Sequence, residues 1–269
     1  MRNEDEALNF LGCSPGPSGI QHLNRLIHAY VRKVPWESAF RIAKRASTQD
    51  LSLCPRWPEE FWQDAIHSGG GGTCFESNYA FFQLLKKLGY SGYLTVNDMG
   101  EQHGCHSAII VQLSGRKILV DVGIPLQAAL PVDPGQVLRR TTWLHTYTVR
   151  PDGANRYQIE RSRHPQRNIY TLLDAPILET DYRKIVEQDY GETGLFLNRV
   201  ILVKVIDNCL WRFNSQELPY RLEIFRRGKK QVLPIQPNQL SSVLAERFQM
   251  DPKKIETALS YTEPSRSAG

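Results

Sequence analysis

HSAIIVQLSGRKILVDVG, residues 106–123, sets two apolar, β-branched runs on either side of a Ser-Gly pair. Two such runs separated by two residues of this type signal a β-hairpin. With Ser114-Gly115 as the turn, Leu113 faces Arg116, Ala108 falls opposite Asp121 and His106 opposite Gly123. His106 and Asp121 then leave the same face of the ribbon as diagonal neighbours, roughly 7–8 Å apart at the backbone. An imidazole and a carboxylate close that gap. A three-residue turn without a bulge would send them to opposite faces, so both the fold and the site hang on this register.

Similar short runs lie around the hairpin. YLTVND, TYTVR and RYQIER, between Tyr90 and about Ile177, are strand candidates separated by Gly, Pro, Asp and Asn. They predict a closed antiparallel barrel or a sandwich. Upstream the period changes to three and four. IQHLNRLIHAYVRKV puts Ile20, Leu23, Leu26, Ile27 and Val31 on one helical face, with Ser18 as the expected cap. PEEFWQDAIHS is a second helix, and a third starts at Cys74, carries Phe75, Tyr79, Phe82 and Leu85, and stops at Gly89. Downstream of the barrel, TDYRKIVEQ and NQLSSVLAERF read as helices, and RVILVKVI, YRLEIFRR and QVLPIQ as strands. The expected class is α+β: a helical bundle over 1–89, a β-barrel over 90–180 and an α/β segment over 181–269.

Composition narrows the class further. With 41% hydrophobic and 23% charged residues, 269 residues can bury a sizeable core, and disordered or collagen-like classes are excluded. No apolar run approaches the ~20 residues of a membrane span, and the opening MRNEDEALNF does not resemble a signal peptide. Cys13, Cys54, Cys74, Cys105 and Cys209 are odd in number and irregularly spaced, as expected of a cytoplasmic protein with free thiols. The net charge of +5 hints weakly at an anionic ligand. The densest basic run, Arg226, Arg227, Lys229 and Lys230, reads as a solvated turn with no nucleic-acid motif beside it.

GGGGTCFESN, residues 69–78, holds the chemistry. A phosphate loop needs Lys and Ser/Thr after its second glycine, and a dinucleotide site needs a βαβ unit; neither is present. What remains is a tight turn delivering Cys74 to a helix start, whose free N–H groups and partial positive charge favour a thiolate and can hold an oxyanion. Cys74, His106 and Asp121 together have the composition of nucleophilic thiol catalysis: sulfur, imidazole and orienting carboxylate. HGCH (103–106) lacks the spacers and second pair of a structural zinc site, so no metal is expected.

These residues resemble the arylamine N-acetyltransferase family, which includes related amide synthases. VPWES (34–38) is similar to that family's VPFEN, GGTCFESN (71–78) to its RGGxCFExN, and His106 with LVDVG (119–123) to its His and DVGFG segments. The likeness covers roughly residues 20–130. It implies a helical bundle, a β-barrel and an α/β lid around a papain- or transglutaminase-like Cys-His-Asp core. It also implies ping-pong acyl transfer from acetyl-CoA or another acyl-CoA, through a Cys74 thioester, to an arylamine, hydrazine or similar small-molecule amine. By the same likeness Gly71, Gly72, Glu76 and Asn78 support the site, and Trp36, Gly104 and Ile124 line the acceptor pocket. The chain departs from the family where Gly70 replaces the motif arginine, Ser38 the asparagine, and Ile124-Pro125 the phenylalanine and glycine after DVG. Near the expected CoA entrance, DYGETGLFLN keeps little beyond Phe196. Two alternatives follow: an amide synthase fed by an acyl carrier protein, and a transglutaminase-like thiol hydrolase with the same Cys, His, Asp order.

Overall fold

The computed structural model describes residues 2–162, 164, 167–226 and 228–262, so Arg227 of the basic run lies outside the described residues. In chain order the helices are α1 (Arg2–Leu11), α2 (Ile20–Lys33), α3 (Ala39–Ser47), α4 (Pro58–Ser68), α5 (Cys74–Lys87), α6 (Glu179–Gln188), α7 (Leu240–Phe248) and α8 (Pro252–Thr262). The strands are β1 (Trp36–Glu37), β2 (Ser91–Met99), β3 (Gln102–Leu113), β4 (Arg116–Val120), β5 (Leu130–Val132), β6 (Leu138–Thr141) and β7 (Thr146–Pro151). They continue with β8 (Arg156–Arg161), β9 (Asn168–Leu173), β10 (Ile201–Ile206), β11 (Cys209–Asn214), β12 (Arg221–Arg226) and β13 (Lys229–Pro234). Two compact units result, each assembled from two separated stretches: Met1–Val31 with Cys74–Tyr182, and Arg32–Thr73 with Arg183–Gly269.

The first unit is built on an eight-stranded antiparallel sheet, in the order β5-β4-β3-β2-β9-β8-β7-β6. Its end strands β5 and β6 return beside each other, nearly closing the barrel. Ala108, Ile110, Leu119, Leu130, Tyr147 and Leu172 fill its interior. The β3–β4 hairpin has the predicted register, from Leu113 opposite Arg116 to Ile109 opposite Val120. Ser114 and Gly115 both take positive φ, 50° and 74°, as the tightest hairpin turn demands. Beyond Val120 the chain leaves the ladder, and Asp121 stands at the sheet's rim.

Helix α5 is buried on nearly every face, with buried residues from Cys74 through Phe82 and again at Leu84 and Leu85, so it is a core helix. It ends at Gly89 (φ 81°), where Gly89 N–H reaches Lys86 O at 3.0 Å and Tyr90 N–H reaches Leu85 O at 3.0 Å. These paired bonds satisfy the last carbonyls of the helix. Ser18 does not cap α2. Its hydroxyl donates instead to Leu88 O at 2.9 Å, where it meets the carbonyl at the end of α5.

The second unit has a five-stranded antiparallel sheet ordered β1-β10-β11-β12-β13. Phe40, Leu202, Phe213, Leu244, Phe248 and Leu259 make its core beneath α3, α7 and α8. The glycine run preceding Cys74 belongs here, with Gly72 bridged to Trp36.

Candidate active site

Cys74 is the first residue of α5 and is 7% exposed. His106 lies on β3, and Asp121 is the residue after β4. The hairpin register therefore delivers the pair it predicts: His106 Nε2 is 2.7 Å from Asp121 Oδ2, with both side chains buried. His106 Nδ1 is buried and makes no hydrogen bond among the described residues. Because Nε2 faces the carboxylate, it carries a proton, and Nδ1 is the ring nitrogen that Asp121 does not engage. Cys74 Sγ lies 3.8 Å from Cys105 O, the carbonyl just before His106.

The electrostatics favour a charged imidazole. Burial works against the cation, but the Asp121 carboxylate and the Cys74 sulfur outweigh it and raise the His106 pKa to about 10. Four donors compensate the buried carboxylate. Oδ2 takes His106, while Oδ1 accepts Asn78 Nδ2 at 3.0 Å and the Gly123 and Ile124 N–H groups at 2.9 Å each. Asn78 also donates to Ser107 O at 2.6 Å and accepts Val122 N–H at 3.0 Å, so one amide joins α5, β3 and the Asp121 turn. Gly123 is required by close approach: a Cβ there would lie 2.4 Å from Cys74 Cα and 2.6 Å from Asn78 Nδ2.

Sequence reasoning passed over Tyr170. Its ring lies against the imidazole of His106, 4.4 Å between centroids. Burial first, then the neighbouring Asp121, pushes its phenol pKa well up, so it stays a neutral wall. Tyr170 falls in NIYTLL, a run that reads simply as apolar, and no motif marks it.

In the second unit the arm leading to Cys74 is held by three buried side chains. Glu37 Oε1 accepts Gly71 N–H at 3.1 Å, and Arg56 Nη2 donates to Gly71 O at 2.7 Å while Nη1 reaches Asp64 at 3.1 Å. Arg41 Nη1 donates to Thr73 Oγ1 at 2.7 Å and to Asp189 Oδ2 at 2.8 Å. A Cβ on Gly71 would sit 1.8 Å from Pro35 O, and one on Gly70 2.7 Å from the Phe40 ring. Position 70 thus has no room for the motif arginine, and the guanidinium that ties the loop comes from Arg56. Neither arginine was visible as a site residue, because their carboxylate and carbonyl partners are 8 to 148 residues away in sequence.

The remaining predicted residues are distributed as follows. Glu76 is buried in the first turn of α5. Gly104 (φ 63°) donates its N–H to Asp98 at 2.9 Å, beside the irregularity in β2–β3 pairing, and Ile124 is half-buried against the barrel core. Trp36 belongs to the second unit, packed edge-on against Phe196 at 5.1 Å. In HGCH only His106 turns inward: His103 is 82% exposed beside Asp98, and Cys105 donates to Gln102 O at 3.3 Å. No group of three His, Cys, Asp or Glu able to hold a metal occurs among the described residues.

A protein-family profile described as N-acetyltransferase matches residues 19–255. The chain belongs to the arylamine N-acetyltransferase family. The matched span takes in VPWES, GGTCFESN, His106 and LVDVG, and the chain is accordingly an acyltransferase working through cysteine. An uncharacterized acetyltransferase of Acanthamoeba polyphaga mimivirus is 26% identical over 147 residues, 52% of this chain and 70% of that protein. The arylamine N-acetyltransferase of Mycobacterium abscessus has the same fold, with a TM-score of 0.80 at 18% identity, over 97% of this chain and 95% of that one. The Mycobacterium marinum arylamine N-acetyltransferase, solved in complex with CoA, superposes with a TM-score of 0.77 at 18% identity, over 94% and 97% of the two chains. The family fold is thus kept where most side chains have changed. No described helix is long and apolar enough to cross a membrane.

Proposed function

We propose that this N-acetyltransferase moves an acetyl group from acetyl-CoA to an arylamine, hydrazine or similar small amine, with Cys74 as nucleophile, His106 as proton carrier and Asp121 as its orienter. The observation that carries the reading is the buried His106–Asp121 bond, with Nδ1 of the same imidazole left open beside the helix that begins at Cys74. The Cys74 thiolate attacks the thioester carbonyl, the carbon–sulfur bond to CoA breaks, and the departing thiolate takes the proton from His106. The amine then attacks the acyl-cysteine, His106 receives its proton, and Cys74 leaves as thiolate. Asp121 keeps the imidazole in one tautomer throughout.

Within this reading residues 1–89 supply the thiol and 90–180 the base and carboxylate. Gly104 and Ile124 line the acceptor's side. Free thiols at Cys54, Cys74, Cys105 and Cys209 support a cytoplasmic setting. Intact-protein mass spectrometry tests the proposal. Acetyl-CoA should add one acetyl group to the wild type and none to Cys74→Ser, and an arylamine or hydrazine should remove it. Acylation by longer thioesters alone, or by a carrier-bound chain alone, would replace it with the amide-synthase reading.

A further inference from the structure

Tyr182, on α6, is fully buried in the first unit and has no part in the chemistry above. Its hydroxyl donates to Phe75 O at 2.7 Å and lies 2.7 Å from Ser107 Oγ. A phenol has one proton, and a carbonyl can only accept. The proton therefore goes to Phe75, and Ser107 must donate to Tyr182. Burial pushes the Tyr182 pKa well up, which keeps that proton in place.

The positions of the two partners matter. Phe75 follows Cys74, and Ser107 follows His106. A single hydroxyl thus bridges the backbone beside the sulfur to the side chain beside the imidazole. The ring is itself immobilised, stacked on Tyr79 at 5.4 Å and edge-on to Phe75 at 5.8 Å. Tyr79 in turn donates to Glu179 on the first turn of α6, at 2.5 Å.

We infer that Tyr182 is a positioning residue that fixes the spacing between Cys74 and His106 from behind, touching neither reacting atom. The inference rests on the assignment of Cys74 and His106 as nucleophile and proton carrier. Losing the phenol oxygen leaves Ser107 Oγ and Phe75 O with one partner fewer in a buried interior, and α5 is then free to shift against β3. A displacement well under 1 Å is enough to weaken proton exchange between sulfur and imidazole.

The test compares wild type, Tyr182→Phe and Ser107→Ala. Iodoacetamide alkylation of Cys74 is followed against pH by peptide mass, beside kcat and KM with acetyl-CoA and an arylamine, and thermal unfolding. Tyr182→Phe should slow alkylation at neutral pH about tenfold to a hundredfold, move its pH profile upward, and lower kcat with KM for the amine little changed. Ser107→Ala, which keeps the Tyr182–Phe75 bond and all the ring packing, should move the profile the same way by less. If Tyr182→Phe only lowers the melting temperature, with the wild-type profile and kcat per folded molecule, the inference is overturned. Should Tyr182→Phe not fold, Ser107→Ala decides alone, and an unmoved profile overturns it. Alkylation needs no acyl donor, so a wild type inert to acetyl-CoA would sink the proposed function and leave this test standing.

Discussion

Asn78 holds the Asp121 turn by both ends of one amide: its Nδ2 donates to Asp121 Oδ1 and its Oδ1 accepts Val122 N–H, each at 3.0 Å. The carboxylate therefore cannot rotate to follow the imidazole, and the imidazole must conform to it. Asp121→Asn keeps an oxygen for those donors but presents an NH2 to His106 Nε2–H. The imidazole must then give up that proton and adopt the other tautomer. We expect kcat to fall roughly a thousandfold or more with a folded protein, measured by steady-state acetyl transfer alongside circular dichroism. Full activity would remove Asp121 from the mechanism.

The cysteines separate cleanly. Cys74→Ser should abolish acyl-enzyme formation, while Cys105→Ser, whose thiol faces Gln102 O away from the imidazole, should retain most turnover. Intact mass after acetyl-CoA reads both. Equal loss would mean that Cys74 is not the nucleophile.

Gly123→Ala should fail for lack of space. Its methyl would be driven into Cys74 and Asn78, at a cost of about 1–3 kcal/mol or more and with loss of the Asp121 geometry. Gly135→Ala, whose methyl meets only ordinary contact at 3.5 Å, is the matched control. Urea unfolding with both variants checks the contrast.

The raised His106 pKa sets a pH window. In the unfolded chain the imidazole releases its proton near 6.5, and in the fold near 10. The stability this group contributes is therefore complete below about pH 6.5 and drains away as pH rises towards 10. Denaturation midpoints should decline across that interval, and His106→Gln should flatten the decline. A wild-type midpoint constant from pH 6.5 to 10 would contradict the charge placement.

Arg56→Ala removes the guanidinium from Glu37, Asp64 and Gly71 O. Loss of one partner from so buried an ionic group costs about 3–5 kcal/mol, and Arg56→Lys should recover part of it. Chemical denaturation measures both. A wild-type midpoint for Arg56→Ala would mean that the glycine arm is held by Glu37 and Arg41 alone.

What the sequence disclosed was whatever local rules govern. The Ser114-Gly115 turn fixed a register by counting, and that register was enough to join His106 to Asp121. The apolar spacing of α5 and its glycine stop were equally local. The residues that escaped are those whose meaning depends on distant partners. Arg41 and Arg56 look like surface charges until Asp189, Glu37 and the Gly71 carbonyl are brought to them. Tyr170 and Tyr182 look like ordinary apolar positions of a strand and a helix until the imidazole and Ser107 arrive. Strands β1, β5, β6, β9 and β11 and helices α1, α3 and α8 were also not read; β1, β5 and β6 are too short to show a period. Ser18 misled because a serine before a helix is a capping signal only if nothing better is within reach, and Leu88 O was.

Because each compact unit is stitched from two stretches, the protein has an awkward birth. Residues 32–73 leave the ribosome early, yet β1 cannot find β10 until the whole barrel stretch between them has been translated. Residues 38–200 separate β1 from β10, and at ordinary elongation speeds roughly 160 residues take about 8–33 s. For that interval Phe40, Ile42 and the glycine arm have no core to enter. Neither half can be severed and expressed as a continuous fragment, and a nascent chain halted before Ile201 would already carry Cys74 while lacking the strands that close its second unit.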